Sequence, residues 1–71
     1  KYSLAISDFE KAIETNPNNA RAYLSIGICY DTIEEKRKAI KCYQLFLQNA
    51  DPEELSSQIE STKRRIAELS K

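Results

Sequence analysis

The chain repeats part of its own pattern at a fixed distance. A small residue, an isoleucine and an aromatic residue occur twice in the same spacing, thirty-four residues apart: Ala5, Ile6 and Phe9, then Ala39, Ile40 and Tyr43. A turn that contains proline follows each set, at Pro17 and at Pro52. A period of this length is typical of arrays of like units, each of which buries its apolar face against its neighbours. The 71 residues therefore predict one small domain built from about two such units.

Helical periodicity and turn residues divide the chain into four segments. Apolar residues recur at helical spacing, and no run alternates as a strand would. We expect helices over residues 2–15, 20–32, 36–49 and from 51 onward. The last helix is predicted to open with Asp51 as N-cap, Pro52 in the first helical position and a glutamate closing a capping box. The predicted fold class is all-α, with four helices joined by short turns.

The charge balance and the apolar runs limit the possible partners. Eleven lysines and arginines balance eleven aspartates and glutamates, so no overall field attracts the chain to nucleic acid or to an anionic membrane. The basic run near Lys36 is interpreted as a solvated face. The longest apolar stretch, residues 23–30, is far shorter than the ~20 residues of a membrane span. We therefore expect no nucleic acid partner and no membrane insertion.

The two cysteines, Cys29 and Cys42, are too few for a disulfide framework or a zinc site. We interpret them as buried reduced thiols, which favours a cytoplasmic location. The chain begins inside an amphipathic pattern without a secretory signal, so it is interpreted as a piece of a longer protein.

One complete unit resembles the tetratricopeptide repeat. The family signature Trp-x-x-Leu-Gly-x-x-Tyr has counterparts at the same spacing in Tyr23, Ile26, Gly27 and Tyr30. The small, aromatic and proline positions that follow the signature in the family correspond to Ala39, Tyr43 and Pro52. The resemblance implies antiparallel helix hairpins in a right-handed superhelical solenoid. It divides the chain into the second helix of a partial repeat (1–19), a complete repeat (20–50) and a C-terminal capping helix (51–71), which together form the C-terminal part of an array.

Several positions of the resemblance carry structural expectations. Gly27 and Ala39 should allow close approach of two antiparallel helices. The chain has Glu34 where the family usually has glycine, and a left-handed conformation there costs about 1 kcal/mol. Phe46 replaces the usual alanine and predicts a wider gap before the last helix. Pro52 comes one residue late and predicts a longer final turn.

The resemblance also implies a function and a site. Such repeats bind a peptide or helix of another protein in a concave groove lined by the first helix of each hairpin. The groove residues implied here are Asn18, Asn19, Arg21, Leu24, Ser25, Ile28, Asp31 and Thr32. Leu24 and Ile28 are interpreted as an apolar floor, with Arg21 and Asp31 orienting the partner. In the alternative interpretation, a neighbouring helix or a second copy of the chain covers the two apolar residues.

Two other functional classes remain to be compared with groove binding. The first helix lacks its own hairpin partner, so its apolar stripe could form a homo-oligomer. Catalysis has little support, because the chain has no histidine, one glycine and no recognisable nucleophile with a base. We expect no enzyme activity, no cofactor and no metal site.

Overall fold

The computed structural model describes all residues from Lys1 to Lys71 and contains four helices and no strand. The helices are α1 (Tyr2–Thr15), α2 (Ala20–Thr32), α3 (Lys36–Asn49) and α4 (Ser56–Leu69). The all-α fold class is confirmed, and the first three helices begin and end where the sequence predicts. No helix exceeds 14 residues, and none is long and apolar enough to cross a membrane.

Consecutive helices pack against each other, and α2 lies between α1 and α3. One buried cluster joins Ile6 of α1 to Ile26 and Cys29 of α2. A second cluster joins Ala20, at the start of α2, to Phe46, near the end of α3, and also includes Leu55. The start of one helix thus meets the end of the next, so α2 and α3 are antiparallel. Only 11 of the 71 residues are buried, so the stability of the fold depends on few contacts.

The crossing of α2 and α3 is close at Gly27. A Cβ atom built there would lie 2.7 Å from both Cδ1 and Cε1 of Tyr43 and 3.4 Å from the Cβ of Cys42. Ala39, on the same side of α3, is completely inaccessible to solvent. The predicted close approach is confirmed, since any side chain at Gly27 would occupy the place of the tyrosine ring.

The turn between α1 and α2 is closed by side chains. The Oδ1 atom of Asn19 accepts a hydrogen bond from the backbone N–H of Ala22 at 3.2 Å, which satisfies one of the free donors at the start of α2. The Tyr23 hydroxyl donates to the Pro17 carbonyl at 2.9 Å. Asn19 is therefore the N-cap of α2, and the Tyr23 hydrogen bond connects the turn to the helix that follows.

The turn between α2 and α3 contains the strained residue that the sequence predicts. Glu34 has a φ of 65°, in the left-handed region. Its backbone N–H donates to the Asp31 carbonyl, and the N–H of Glu35 donates to the Tyr30 carbonyl at 2.9 Å. This pair of bonds is a Schellman ending, which usually has glycine at the left-handed position. Glu34 therefore costs about 1 kcal/mol relative to a glycine at that position.

The start of α4 differs from the prediction. The helix begins at Ser56, five residues after the expected N-cap Asp51. Asp51 does accept a hydrogen bond at Oδ1 from the N–H of Glu53, at 3.0 Å, but the turn so formed ends at Leu55, whose φ of −121° and ψ of 28° are not helical. The bend places the Leu55 side chain against Phe46 in the second cluster, with 4% of its surface exposed. Burial of this leucine thus outweighs continuation of the helix from Pro52.

One further expectation about the end of the chain, the longer final turn, is confirmed. The final turn, residues 50–55, is longer than the turns at 16–19 and 33–35. An apolar stripe at helical spacing faces inward, with Leu55 and Thr62 buried and the remaining members half-buried: Ile59, Ile66 and Leu69. The other surfaces of α4 are exposed.

Candidate functional site

A groove separates α2 from α4. The two helices run in the same direction, because an ion pair joins Arg21 to Glu54 near their starts and another joins Asp31 to Arg65 near their ends. Their backbones do not come into contact, since both helices pack against α3 instead. The space left between them is the α2–α4 groove.

The α2–α4 groove has one apolar wall and one polar wall, and a cavity of about 320 Å³ lies within it. Its lining residues are Leu24 and Ile28 from α2, Tyr43 from α3, and Ser57, Gln58, Ser61, Thr62 and Arg65 from α4. Ile28 is 51% exposed, so about half of this aliphatic side chain is accessible in the groove. The α4 residues lie at helical spacing on one side of that helix and supply hydroxyl and amide groups.

Three helices meet in a hydrogen-bonded network at one end of this groove. Arg65 donates from Nε to Oδ2 of Asp31 and from Nη2 to Oδ1, both at 2.7 Å. The Tyr43 hydroxyl donates to the same Oδ2 atom at 2.9 Å. The bidentate geometry fixes the orientation of the guanidinium group as well as its distance. Arg65 also contacts Glu68 at 3.1 Å, so both ends of the arginine fork are held.

The network perturbs the protonation of its members. The hydrogen bonds from Arg65 hold the pKa of Asp31 below its ordinary value, although partial burial of the carboxylate opposes the effect. Burial raises the pKa of the Tyr43 hydroxyl well above its ordinary value, and its bond to the Asp31 carboxylate raises it further. At neutral pH the site therefore contains a charged aspartate, a charged arginine and a neutral tyrosine.

The ion pair at the other end of the groove is weaker. Arg21 and Glu54 are 3.1 Å apart, and their side chains are 67% and 62% exposed. Such exposed pairs contribute about 0–1 kcal/mol and are screened by salt. The Asp31 side chain is only 15% exposed, so the network at its end is the firmer of the two connections.

Three of the predicted groove residues lie in or beside the α2–α4 groove. Leu24 and Ile28 form its apolar wall, and Asp31 lies at its end. Asp31 is already paired with Arg65 and therefore does not present a free charge. The Thr32 hydroxyl donates to the Ile28 carbonyl at 2.8 Å. Ser25 is half-buried and lines neither this cavity nor the one described next.

The other three predicted residues lie in a separate cavity. Asn18, Asn19 and Arg21 line a space of about 250 Å³ beside the turn between α1 and α2, which we call the turn cavity. Its further lining is polar for the most part: Asn16, Ala20, Asn49, Asp51, Glu54 and Leu55. The structure thus distributes these predicted residues over two cavities, and the Arg21–Glu54 ion pair lines the turn cavity.

One whole wall of the α2–α4 groove was not predicted from the sequence. Tyr43 was identified only as a position of the repeat pattern, and no residue of α4 was included in the predicted site. One signal was available, because Arg65 follows Asp31 by 34 residues, which is the repeat period. Residues one period apart occupy equivalent positions on adjacent parallel helices, so opposite charges at this distance predict an ion pair across the groove.

No group of three or more His, Cys, Asp and Glu side chains comes close enough to hold a metal ion. Every buried side-chain nitrogen and oxygen atom has a hydrogen-bond partner. The site therefore consists of an apolar wall, a polar wall and a satisfied ion-pair network.

Antiparallel neighbours and parallel helices one period apart define a helical-repeat protein. The comparison with protein families agrees: residues 8–42 match the family model described as the tetratricopeptide repeat. The chain belongs to this family, and the match runs from the middle of α1 through α2 into α3. No curated protein and no solved structure matched the chain in the other two comparisons. Tetratricopeptide repeats generally mediate protein–protein interactions and are typically scaffolds without enzyme activity.

Proposed function

We propose that the α2–α4 groove binds a short segment of a partner protein. The observation that carries the proposal is the half-exposed Ile28 beside Leu24, opposite a wall of hydroxyl and amide groups. An apolar side chain of the partner gains free energy by covering Ile28, and the serines and Gln58 offer hydrogen bonds to its backbone. The bidentate Asp31–Arg65 pair holds the two walls at a fixed separation at one end before the partner arrives, so less ordering is needed on binding.

The turn cavity extends the proposed surface. Asn18, Asn19 and Arg21 lie beyond the Glu54 end of the groove, and their amide and guanidinium groups can bind a polar continuation of the same segment. Asn19 already uses its Oδ1 atom as a helix cap, which leaves its amide N–H groups available. We propose that the partner places its apolar residues on Leu24 and Ile28 and its polar residues in the turn cavity.

The test compares two isoleucines with similar exposure. A peptide library is selected on the wild-type chain, and the dissociation constants of the selected peptides are measured by fluorescence anisotropy. Ile28→Asp should weaken binding about tenfold, since half of an isoleucine side chain remains to be buried there. Ile33→Asp is the matched control, because Ile33 is 43% exposed and lies outside the groove. Equal affinities for the two variants would contradict the proposal, provided that circular dichroism shows both to be folded.

A second candidate is self-association through α1. Tyr2 and Leu4, in its first turn, are 45% and 73% exposed. A second copy of the chain could cover them, which gives a homodimer. Light scattering over a concentration series detects the dimer, and Leu4→Asp should abolish it. A wild-type chain that stays monomeric at high concentration would rule this candidate out.

We also propose that the chain acts by binding alone, without a cofactor, a nucleic acid partner or catalysis, in the cytoplasm. The typical role of the family as a scaffold without enzyme activity supports binding without catalysis. The two free thiols, Cys29 and Cys42, are compatible with a reducing compartment. Localisation of the protein in cells by fractionation tests the second part.

A further inference from the structure

A second groove lies between α1 and α3. The backbones of the two helices do not come into contact, and α2 forms the floor between them. A cavity of about 330 Å³ occupies this space, which we call the α1–α3 groove. Its floor is Tyr23, Ile26 and Tyr30; its walls are Glu10 and Ile13 from α1 and Lys38, Lys41, Cys42 and Leu45 from α3.

This groove is distinct from the proposed peptide site. At ~100° per residue, its floor residues on α2 point roughly 150° away from Leu24 and Ile28. The α1–α3 groove therefore opens on the opposite side of the molecule. A ligand in one groove does not occupy the other, so the two sites can be tested independently.

The α3 wall carries unpaired positive charge. Lys38 and Lys41 line the groove, and Lys36 and Arg37 precede them on the same helix. None of the four takes part in the ion pairs of the chain. The Lys38 Nζ atom lies 5.5 Å from the centre of the Tyr30 ring, which is a cation–π contact and leaves its charge free for an anion. The whole chain has no net charge, but α3 carries a local excess of positive charge beside the apolar floor of the α1–α3 groove.

Glu10, on the opposite wall, makes the groove asymmetric. A ligand carboxylate is attracted to the α3 side and repelled from the α1 side. An acidic ligand is therefore expected to lie with its charges along α3 and its apolar side chains over Tyr23 and Ile26. Since the α3 wall runs from Lys38 to Leu45, its length is about 10 Å at roughly 1.5 Å per residue. About two turns of a helix match that length.

We propose that the α1–α3 groove is a second docking surface, which takes an acidic amphipathic helix of a partner protein. The partner places leucine-like side chains on the tyrosines and the isoleucine of the floor, and its carboxylates pair with Lys38 and Lys41. The aromatic floor supplies the apolar area, and the lysines select the acidic partner and fix its direction.

The probe is a fluorescein-labelled synthetic peptide with leucines at helical spacing and glutamates beside them. Its matched control has glutamine at every glutamate. We expect the glutamate peptide to bind the wild-type chain and the glutamine peptide to bind about five- to thirtyfold more weakly, because two charge pairs are lost. Binding should also weaken as salt is added.

Two variants with the same change in charge locate the binding site. The double variant Lys38→Glu, Lys41→Glu should weaken binding of the glutamate peptide about tenfold or more. The double variant Lys36→Glu, Arg37→Glu changes the same helix by the same charge, but these residues do not line the groove, so binding should stay within about threefold of wild type. Circular dichroism establishes that both variants are folded.

Cys42 gives an independent measure of where the peptide lies. It lines the α1–α3 groove and is half-buried, whereas Cys29 is buried. The bound peptide should slow alkylation of Cys42, as measured by mass spectrometry. Any of four results would overturn the proposal. The two double variants weaken binding equally, the peptide does not protect Cys42, or the peptide does not bind the wild-type chain. The fourth is displacement of the labelled peptide by single-stranded RNA at a lower concentration than the unlabelled peptide requires. Unchanged binding to Ile28→Asp supports the separation of the two grooves.

Discussion

The substitution Gly27→Ala tests the close crossing of α2 and α3. Helix propensity alone predicts that alanine stabilises this position by about 1 kcal/mol. The added methyl would lie 2.7 Å from two ring carbons of Tyr43, whereas carbon atoms in contact are about 3.5–4.0 Å apart. The ring or the helix must therefore move by about 1 Å.

The surroundings of Tyr43 resist that movement. Tyr43 is 3% exposed, and its hydroxyl donates a hydrogen bond to Asp31. The ring therefore cannot turn outward without exposing its apolar surface and losing that hydrogen bond. Overpacking of this severity costs about 2–3 kcal/mol, which exceeds the propensity gain and leaves a net loss of about 1–2 kcal/mol. In a domain with about 3–5 kcal/mol of total stability, this loss is large.

The assay is urea unfolding followed by circular dichroism. Gly27→Ala should lower the midpoint without changing the slope, which reports the surface exposed on unfolding. Ser25→Ala, two residues earlier in α2, is the control for propensity and should not lower the midpoint. In a Tyr43→Phe background the loss should persist, since the ring carbons remain. A higher midpoint for Gly27→Ala would refute the close approach.

Three further predictions concern the groove network and the last helix. Because the pKa of Tyr43 is raised in the folded chain, that chain keeps a proton at alkaline pH that the unfolded chain loses. The free energy of unfolding should therefore fall by about 1.4 kcal/mol per pH unit above roughly pH 10. Tyr43→Phe should remove this part of the loss of stability at alkaline pH. The lowered pKa of Asp31 acts in the opposite direction: its contribution is present above about pH 4 and is lost as the pH falls through the folded pKa. Asp31→Asn should therefore cost about 1 kcal/mol at neutral pH and flatten the acid limb of the stability profile, and a double-mutant cycle with Arg65→Gln should show coupling. Leu55→Ala should lower the free energy of unfolding in urea by about 3 kcal/mol, because the side chain is buried against Phe46. Ser57→Ala is the control and should change it by less than about 0.5 kcal/mol. Similar effects of the two substitutions would show that Leu55 is not packed against α3.

Local signals predicted the first three helices well. The ends of these helices are marked by residues close to them in the sequence: Pro17 and the cap Asn19 before α2, and the left-handed Glu34 after it. Local sequence is therefore sufficient to place these boundaries. The fourth helix is the exception. Asp51 and Pro52 carry the same kind of local signal, but burial of Leu55 against Phe46 outweighs it, and that contact joins distant parts of the chain.

The candidate site could be predicted only on the side that carries the family signature. Leu24 and Ile28 follow from the resemblance to the family, in which the first helix of each hairpin lines the groove. The α4 wall depends on how α4 lies beside α2, which the apolar stripe of α4 does not determine. The bond from Tyr43 to Asp31 was likewise unexpected, because a buried aromatic residue usually contributes area alone and its hydroxyl partner is not visible in the sequence.

The two walls of the α2–α4 groove differ in their freedom to vary. Leu24 packs against the second cluster and Tyr43 against Gly27, so substitutions on that side disturb the interior. Ser57, Gln58 and Ser61 are exposed and belong to neither cluster nor ion pair. Changes at these three positions can alter which sequence is recognised while the free energy of unfolding stays nearly constant. Libraries randomised at these positions should therefore yield many folded proteins with different binding preferences, so the scaffold is suited to directed evolution of new specificities.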